Sequence, residues 1–526
     1  MQNVGSTTER DETDTLALEK PKGPSILART AVGMGWIVAW RMATRVLGLI
    51  STLVLVRVLA PADFGLVALG TGFVFAVDTL SAIGVEDAMV REHSPSPAMY
   101  DTAFTLTALR SLATTVLIAI GAVPIATFFS EPRLANILWA LAAGTLISGI
   151  GSIGVVDFRR DMAFHKEFVL QILPRMASII ITIGSALIWH SYWALIAGIL
   201  TGRFLRTAFG YKMHPWRPRL TLSAWRDLIG FSMWSWAISM AELVRDRMDM
   251  FVLGRVISPT AVGVYSIGDE VAFLPSTEII FPLCRACFSA FSEARRTGQN
   301  VEEAFMRPVA ATFLMTLPAG LGVSLVADPL VRLVMGEKWT AAIPVLQLLS
   351  IMGALSVFGL VAASLLSAHG ALRRQFTITL ACLGIRLLLL VLLVKQLGIL
   401  GAAIGAVAGM TLEHFMFLLI VFRHYGLRAI VLARLVWRTI VAGSIMAAVL
   451  VLSGLGWTQT SGDMPSVIGT LVSAVILGAT VYALALFGLW RISGHPPGAE
   501  ADMLAVVTRL VRRLVGSLLP ARSGRS

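Results

Sequence analysis

The chain has 526 residues, of which 56% are hydrophobic and only 14% charged, with a formal net charge of +12 and a mean hydropathy of +0.79. Soluble domains carry about 25% charged residues, so the composition excludes an ordinary soluble protein and points to a membrane chain. The basic excess does not imply nucleic acid as a partner, because its placement along the chain is explained by membrane orientation.

Residues 1–27 are polar, mixed in charge and without an apolar core, which predicts a disordered cytoplasmic tail and no cleavable signal. Beyond them, apolar stretches recur at 33–58, 65–90, 102–128, 134–157, 167–189, 191–211, 227–257, 261–289, 306–335, 342–367, 374–395, 398–424, 431–455 and 464–490. Each is long enough to cross a hydrocarbon core of about 30 Å. The expected fold is an all-α polytopic membrane protein of about fourteen transmembrane helices.

Val54–Gly70 reads VLVRVLAPADFGLVALG, and Val252–Gly268, 198 residues later, reads VLGRVISPTAVGVYSIG. Trp36 and Trp234 fall at the same offset. Six spans with short connections occupy such a length, at about 1.5 Å per helical residue. An even number of spans preserves orientation, which predicts two six-helix halves, 28–211 and 227–424, related as a parallel repeat. The Pro- and Arg-rich segment 212–226 is the linker between them, 431–490 forms a final helix pair, and 491–526 is a basic amphipathic tail suited to an anionic cytoplasmic leaflet. In the repeated turn Pro61 and Pro259 stop one helix, Gly65 and Gly263 tolerate the tight re-entry, and Asp63 can cap the next helix in the first copy only.

Lys and Arg concentrate on alternate connections. Arg91, Arg159, Arg160, Lys166, Lys212, Arg217, Arg219, Arg226, Arg295, Arg296, Arg373 and Arg374 fall on one side, whereas the other holds Arg133, Arg255, Arg332, Lys338 and Lys395. The positive-inside rule then puts both termini in the cytoplasm.

Ionisable residues at membrane depth cost several kcal/mol by most estimates and face a cavity or a partner. Arg41 and Arg45 share one face of the first span, in its inner half to middle. Asp78 lies near mid-depth in the second. In the seventh, Glu242, Arg245, Asp246 and Asp249 fall within about 100° of arc, with Arg247 nearly opposite. Asp269, Glu270 and Glu278 follow in the eighth, and Arg110, Arg175, Arg386, Glu413 and His414 complete the set. One reading is a polar cavity between the halves, with arginines (Arg41, Arg45, Arg245, Arg386) holding an anionic group. The carboxylates Asp78, Glu242, Asp246, Asp249, Asp269, Glu270 and Glu278 would then titrate or bind a coupling cation. The other is structural ion pairing between helices, or snorkelling to an interface.

Other motifs carry no chemistry. Gly149-Ile-Gly-Ser-Ile-Gly154 matches a dinucleotide-binding pattern but lies in an apolar span with no preceding strand, so its glycines read as helix-packing positions. Cys284-Arg-Ala-Cys287 lies inside a span and reads as small buried thiols. The histidines show no metal-ligand spacing and no phosphate-binding P-loop is present, so no metal and no cofactor is expected. The short outer connections offer no catalytic domain, and the chain is not expected to be an enzyme.

The fourteen spans, the first-span arginines and the turn Arg57-Val-Leu-Ala-Pro-Ala-Asp-Phe-Gly65, followed by Leu66-Val-Ala-Leu69, together resemble a family. So do the linker residues His214-Pro-Trp-Arg-Pro-Arg219 and Leu222-Ser-Ala-Trp225. The chain resembles Wzx-like polysaccharide flippases of the multidrug/oligosaccharidyl-lipid/polysaccharide exporter superfamily over about residues 25–490. The resemblance implies an inner-membrane protein that moves a polyprenyl-pyrophosphate-linked oligosaccharide from the cytoplasmic to the periplasmic leaflet by alternating access. Its partners would be that lipid-linked oligosaccharide, membrane lipid and polysaccharide polymerase or export machinery. A drug or small-molecule exporter and a peptidoglycan lipid-precursor flippase of the same superfamily are the alternatives.

Overall fold

The computed structural model describes residues 26–501 and 503, apart from 83, 93, 229–232, 299, 461–462 and 497. Most of the expected tails, residues 1–25 and 504–526, therefore lies outside the described residues. Among the described residues all regular structure is helical. The long helices of the first half are α1 (Ile26–Val58), α2 (Pro61–Leu80), α3 (Pro97–Phe128), α4 (Arg133–Gly149), α5 (Phe164–Trp189) and α6 (Trp193–Met213). Then come α7 (Met233–Val256), α8 (Pro259–Thr297), α9 (Val301–Leu325), α10 (Ile343–Ala368), α11 (Leu372–Leu397) and α12 (Ile399–Tyr425). The last two are α13 (Ala429–Leu452) and α14 (Met464–Ile492).

By length and apolarity, 11 of the described helices can cross a membrane, or 12 if α4 and the bent continuation Ile153–Arg160, turned by 71°, count as one span. By this criterion the expected count of fourteen is not confirmed, although fourteen long helices are present among the described residues. The helices that fall short do so for physical reasons. With 17 residues, α4 is short. Arg203, Arg206 and Lys212 lower the hydropathy of α6, and α7 carries Glu242, Arg245, Asp246, Arg247 and Asp249 within its length. A helix that turns one face to a polar interior need not be apolar all round.

The two copies of the repeated turn pack against each other. A Cβ added at Gly65 would overlap the Pro259 carbonyl oxygen and lie 2.8 Å from the Gly263 nitrogen. One added at Gly263 would overlap the Pro61 carbonyl oxygen and lie 3.0 Å from the Gly65 nitrogen. Helices α2 and α8 therefore cross backbone to backbone, each entering the contact through its own glycine. The start of each helix is fixed locally. Asp63 accepts the Ala60 N–H at 3.1 Å and also the Tyr192 N–H at 3.1 Å, so it secures α2 and the entry to α6 together. In the second copy Ser258 takes the capping role that Ala261 cannot, accepting the Ala261 N–H at 3.3 Å.

A segment of the second half fastens this face. Arg57 at the end of α1 donates to the carbonyls of Leu333 and Val334, at the C-terminus of the short helix Ala327–Val334. In return, Lys338 Nζ donates to the carbonyls of Arg57 at 2.9 Å and Leu59 at 2.6 Å. The fully buried Trp339 donates its indole N–H to the Val56 carbonyl at 2.9 Å. Each cation thus satisfies orphan carbonyls at a helix C-terminus, where the helix dipole favours positive charge. The core around this junction draws Leu66, Leu69, Val262, Tyr265, Trp339 and Leu349 into one cluster shared by both halves.

A second core joins α13 and α14 to α9 and α12, where the Tyr482 hydroxyl donates to the Leu314 carbonyl at 2.7 Å. The segment expected as a linker is docked on α3. Its Thr221 and Ala224 N–H groups donate to the hydroxyls of Thr105 at 3.0 Å and Thr102 at 3.2 Å, and Trp216 packs on Phe104.

Replacing Gly65 or Gly263 with alanine puts a methyl group where a carbonyl oxygen stands, so the crossing must open. Gly65→Ala is expected to destabilise by about 1–3 kcal/mol or more, as overpacking does. A lower melting temperature of the purified protein checks this; an unchanged one would show that the two backbones are not in contact.

Candidate substrate chamber

Directly beneath the crossing lies a cavity of about 540 Å3 between the halves. Gly48, Ser51 and Thr52 of α1, Thr71 of α2 and Ser178 and Thr182 of α5 line it from the first half. Arg247 and Met250 of α7 and Ser266, Asp269 and Glu270 of α8 line it from the second. Phe64 and Val67 form its end at the crossing, so the repeated turn closes the chamber towards that face. Arg247 is held by its surroundings: its guanidinium stacks over the Phe75 ring at 4.9 Å, and its buried Nε has no hydrogen-bond partner.

A second cavity, of about 560 Å3, opens among α2–α6 inside the first half. Its lining includes Arg110, Arg175, Arg203 and Arg206, against only Asp78 and Glu86 as acids. Hydroxyl groups of Thr107, Ser148, Ser178 and Thr207 and the amide of Gln171 make up much of the rest. Arg175, Ser178 and Ile199 line both cavities, so the two spaces adjoin across the Arg175 side chain. That side chain lies against Gly48, whose missing Cβ would be 3.5 Å from its Nη2.

The residues expected at a substrate site divide into three groups. Asp269 and Glu270 line the chamber between the halves, and Asp78 lines the first-half cavity, 3.9 Å from Arg110. Arg41 and Arg45 line neither cavity; they lie about 5–10 Å along α1 from Gly48, away from the crossing, at 1.5 Å per residue. Arg45 pairs with Glu278 of α8 at 3.1 Å, with 34% and 43% of the two side chains exposed, while Arg41 makes no ion pair among the described residues.

Arg245, Arg386 and Asp249 point instead into the second half, while Asp246 stays exposed beside Arg245. Arg245 bonds Asp246 at 2.9 Å and reaches Glu413 of α12 at 3.3 Å, and Thr379 of α11 donates to the same Glu413 oxygen at 2.9 Å. Arg386 of α11 meets Asp249 at 2.6 Å, and Tyr265 donates to the same Asp249 oxygen at 2.9 Å. Both charges are more than nine-tenths buried, and Asp249 Oδ1 and Arg386 Nε have no partner. Gly409 makes the pair possible, because a Cβ there would overlap the Arg386 stem. Glu242 forms no ion pair among the described residues. Arg245 and Asp249 of the α7 arc thus meet α12 and α11, and the outlying Arg247 faces the chamber.

Sequence reasoning left Arg175, Arg203, Arg206 and Arg247 out of the expected binding set. For Arg247 a signal was present, since it is the charge that breaks the arc of its own helix. Arg175 was legible as a charge at membrane depth, but where it points was not, because only Gly48, far away in sequence, shows it.

Two helical halves that cross at a repeated turn and enclose a polar, arginine-bearing chamber define a multi-span membrane protein of the transporter class. The chain belongs to the polysaccharide biosynthesis protein family, whose model matches residues 54–344. It is 25% identical over 358 residues, 67% of this chain and 72% of the relative, to the lipopolysaccharide biosynthesis protein WzxC of Escherichia coli K12. It is 24% identical over 336 residues, 62% of this chain and 67% of the relative, to the succinoglycan biosynthesis transport protein ExoT of Rhizobium meliloti. In fold it is similar to the lipid II flippase MurJ in an inward closed conformation, with a TM-score of 0.69 at 14% identity, covering 86% of this chain and 99% of that one.

Removing one member of the Asp249–Arg386 pair strands a buried charge, at a cost of about 3–5 kcal/mol, whereas neutralising both costs much less. Arg386→Gln is therefore expected to lower the melting temperature clearly, and Asp249→Asn added to it to restore most of the loss. Additive losses in the double variant would mean that the two side chains are not coupled.

Proposed function

We propose that this protein is a flippase for a polyprenyl-pyrophosphate-linked oligosaccharide, carrying it from the cytoplasmic to the periplasmic leaflet during surface polysaccharide export. The observation that carries this reading is the chamber between the halves, lined by hydroxyls, Arg175 and Arg247 and closed at one face by the crossing. Hydroxyl groups suit a sugar, and guanidinium groups suit the oxygens of a pyrophosphate, which they bond with charge assistance. The polyprenyl chain stays in lipid. Family membership and the names of the WzxC and ExoT relatives support the same reading. The fold shared with MurJ is compatible with a lipid-precursor substrate, although at 14% identity it speaks for fold alone.

In this reading the basic connections face the cytoplasm, which puts the closed crossing on the periplasmic side. The chamber is then in its cytoplasm-facing state. Arg41 and the Arg45–Glu278 pair lie on the cytoplasmic side of the chamber, where they receive the pyrophosphate before Arg175 and Arg247 do. Rocking of 28–211 against 227–424 opens the crossing and alternates access. Asp269 and Glu270, which line the chamber, are the foremost candidates for ion coupling; Asp78, Glu242, Asp246 and Asp249 lie behind them. A polysaccharide polymerase receives the product at the outer leaflet.

A strain lacking this gene is the test. Complementation with the Arg175→Ala/Arg247→Ala variant, inserted at normal level, is expected to cut surface polysaccharide by at least about tenfold, the worth of one lost charge-assisted contact. Lipid-linked oligosaccharide should accumulate at the same time. Arg41→Ala/Arg45→Ala is expected to reduce export less. Full export by the Arg175/Arg247 variant would overturn the pyrophosphate role, and unchanged polysaccharide with raised drug sensitivity in the deletion strain would favour a drug exporter.

A further inference from the structure

The first-half cavity holds more positive charge than a pyrophosphate at the interface can use. Arg175 lines both spaces and Arg247 lines the chamber from the second half, so the flippase reading assigns the pyrophosphate to these two. Arg203 and Arg206 lie about 6 and 10 Å further along α6 than Ile199, the last residue common to both cavities, at 1.5 Å per residue. Neither forms an ion pair among the described residues, and Arg110 meets Asp78 only at 3.9 Å.

Arg203 is nonetheless positioned. Its Nη1 donates to the Thr145 hydroxyl at 3.0 Å, and Gly144 leaves the slot for it, since a Cβ there would stand 3.2 Å from its Cδ. A guanidinium held by a neutral hydroxyl in a slot cut by a glycine keeps its remaining donors free for a ligand. The second half offers no counterpart, because Arg245 and Arg386 are committed to Glu413 and Asp249.

We propose that the first-half cavity is a subsite for an acidic sugar, in which Arg203 and Arg206 bind the carboxylate of a glycan unit while the hydroxyl-bearing walls accommodate its ring. The proposal rests on the flippase reading and narrows its substrate class to oligosaccharides that carry a carboxylate near the pyrophosphate end. The planar, five-donor fork of arginine favours a carboxylate over a neutral hydroxymethyl group at this position.

The test uses the full-length protein in detergent with two water-soluble probes, tetragalacturonate and the neutral maltotetraose, and separately undecaprenyl pyrophosphate. Tetragalacturonate is expected to bind at least about tenfold more tightly than maltotetraose, the difference one satisfied charge contact makes. Arg203→Gln/Arg206→Gln should abolish that preference and leave undecaprenyl pyrophosphate binding unchanged. Arg203→Lys/Arg206→Lys, which keeps the charge and the fold but loses the fork, should retain part of it. Equal binding of the two tetrasaccharides by the unaltered protein would overturn the proposal. So would a parallel loss of undecaprenyl pyrophosphate binding in the Gln variant, which would assign these arginines to the pyrophosphate. Failure of the unaltered protein to bind undecaprenyl pyrophosphate would count against the flippase reading instead, whatever the tetrasaccharides do.

Discussion

Two glycines without room for a methyl group hold this architecture together. At Gly65 and Gly263 the main chains of α2 and α8 touch reciprocally, each against the proline that opens the other helix. Close approach of this kind gains dispersion contacts along both backbones, the main attraction available between helices once both are in lipid. It also sets the depth of everything beneath. The chamber begins at Phe64 and Val67, within one turn of the crossing, and Thr71, Ser266, Asp269 and Glu270 of its polar walls lie on the continuations of the same two helices. Arg57, Lys338 and Trp339 fasten the contact with hydrogen bonds to helix-end carbonyls that would otherwise be unsatisfied. The junction is thus shut by backbone shape and polar satisfaction together, and it must come apart as a unit if access is to alternate.

The strengths of the ion pairs indicate where motion is cheap. Asp249–Arg386 is buried within the second half, and breaking it would strand a charge at several kcal/mol, about 3–5 by analogy with other buried pairs. Arg45–Glu278 joins the two halves, but each side chain is more than a third exposed, and pairs of that kind contribute about 0–1 kcal/mol. The electrostatics therefore favour the second half moving as one body, with the weak pair between α1 and α8 yielding first. The docking of 216–224 on α3 gives the first half a similar coherence, because it ties the connecting segment to that half.

What the sequence disclosed depended on the range of the interaction. Helix positions follow from local apolar runs, and the repeat was legible because duplication leaves residues at one offset. The prolines and glycines of that repeat were read as a turn; that they form the junction of the halves was not legible, since contact between residues 198 apart leaves no local mark. The charges behaved likewise. A helical arc shows that Glu242, Arg245, Asp246 and Asp249 face one way, but the neighbour they face is decided by Arg386 and Glu413, on helices more than a hundred residues away. Apolar runs marked α6 and α7 as spans in the sequence, whereas a strict length-and-apolarity criterion leaves them out, because they carry charges that meet cavities and buried partners.

The departure from symmetry gives the final step. A duplicated fold would place equivalent polar space in both halves, yet the second half has filled its share with closed pairs, Arg245 with Glu413 and Arg386 with Asp249, made possible by Gly409. The first half has kept its arginines open, with Arg203 held by a hydroxyl and Arg175 lying against Gly48. Paired charge rigidifies and unpaired charge recruits, so the copies have divided the work unequally: the second half is pinned by its own pairs and offers Arg247 to the chamber, while the first half presents Arg175, Arg203 and Arg206. An anionic ligand in the chamber therefore meets Arg175 of the first half and Arg247 of the second, and adds counter-charge on both sides of the interface. Because Arg175 and Arg247 stand on opposite halves, bridging them gives ligand binding a means to act differently on the open and closed forms of the junction, which is the condition a transport cycle requires.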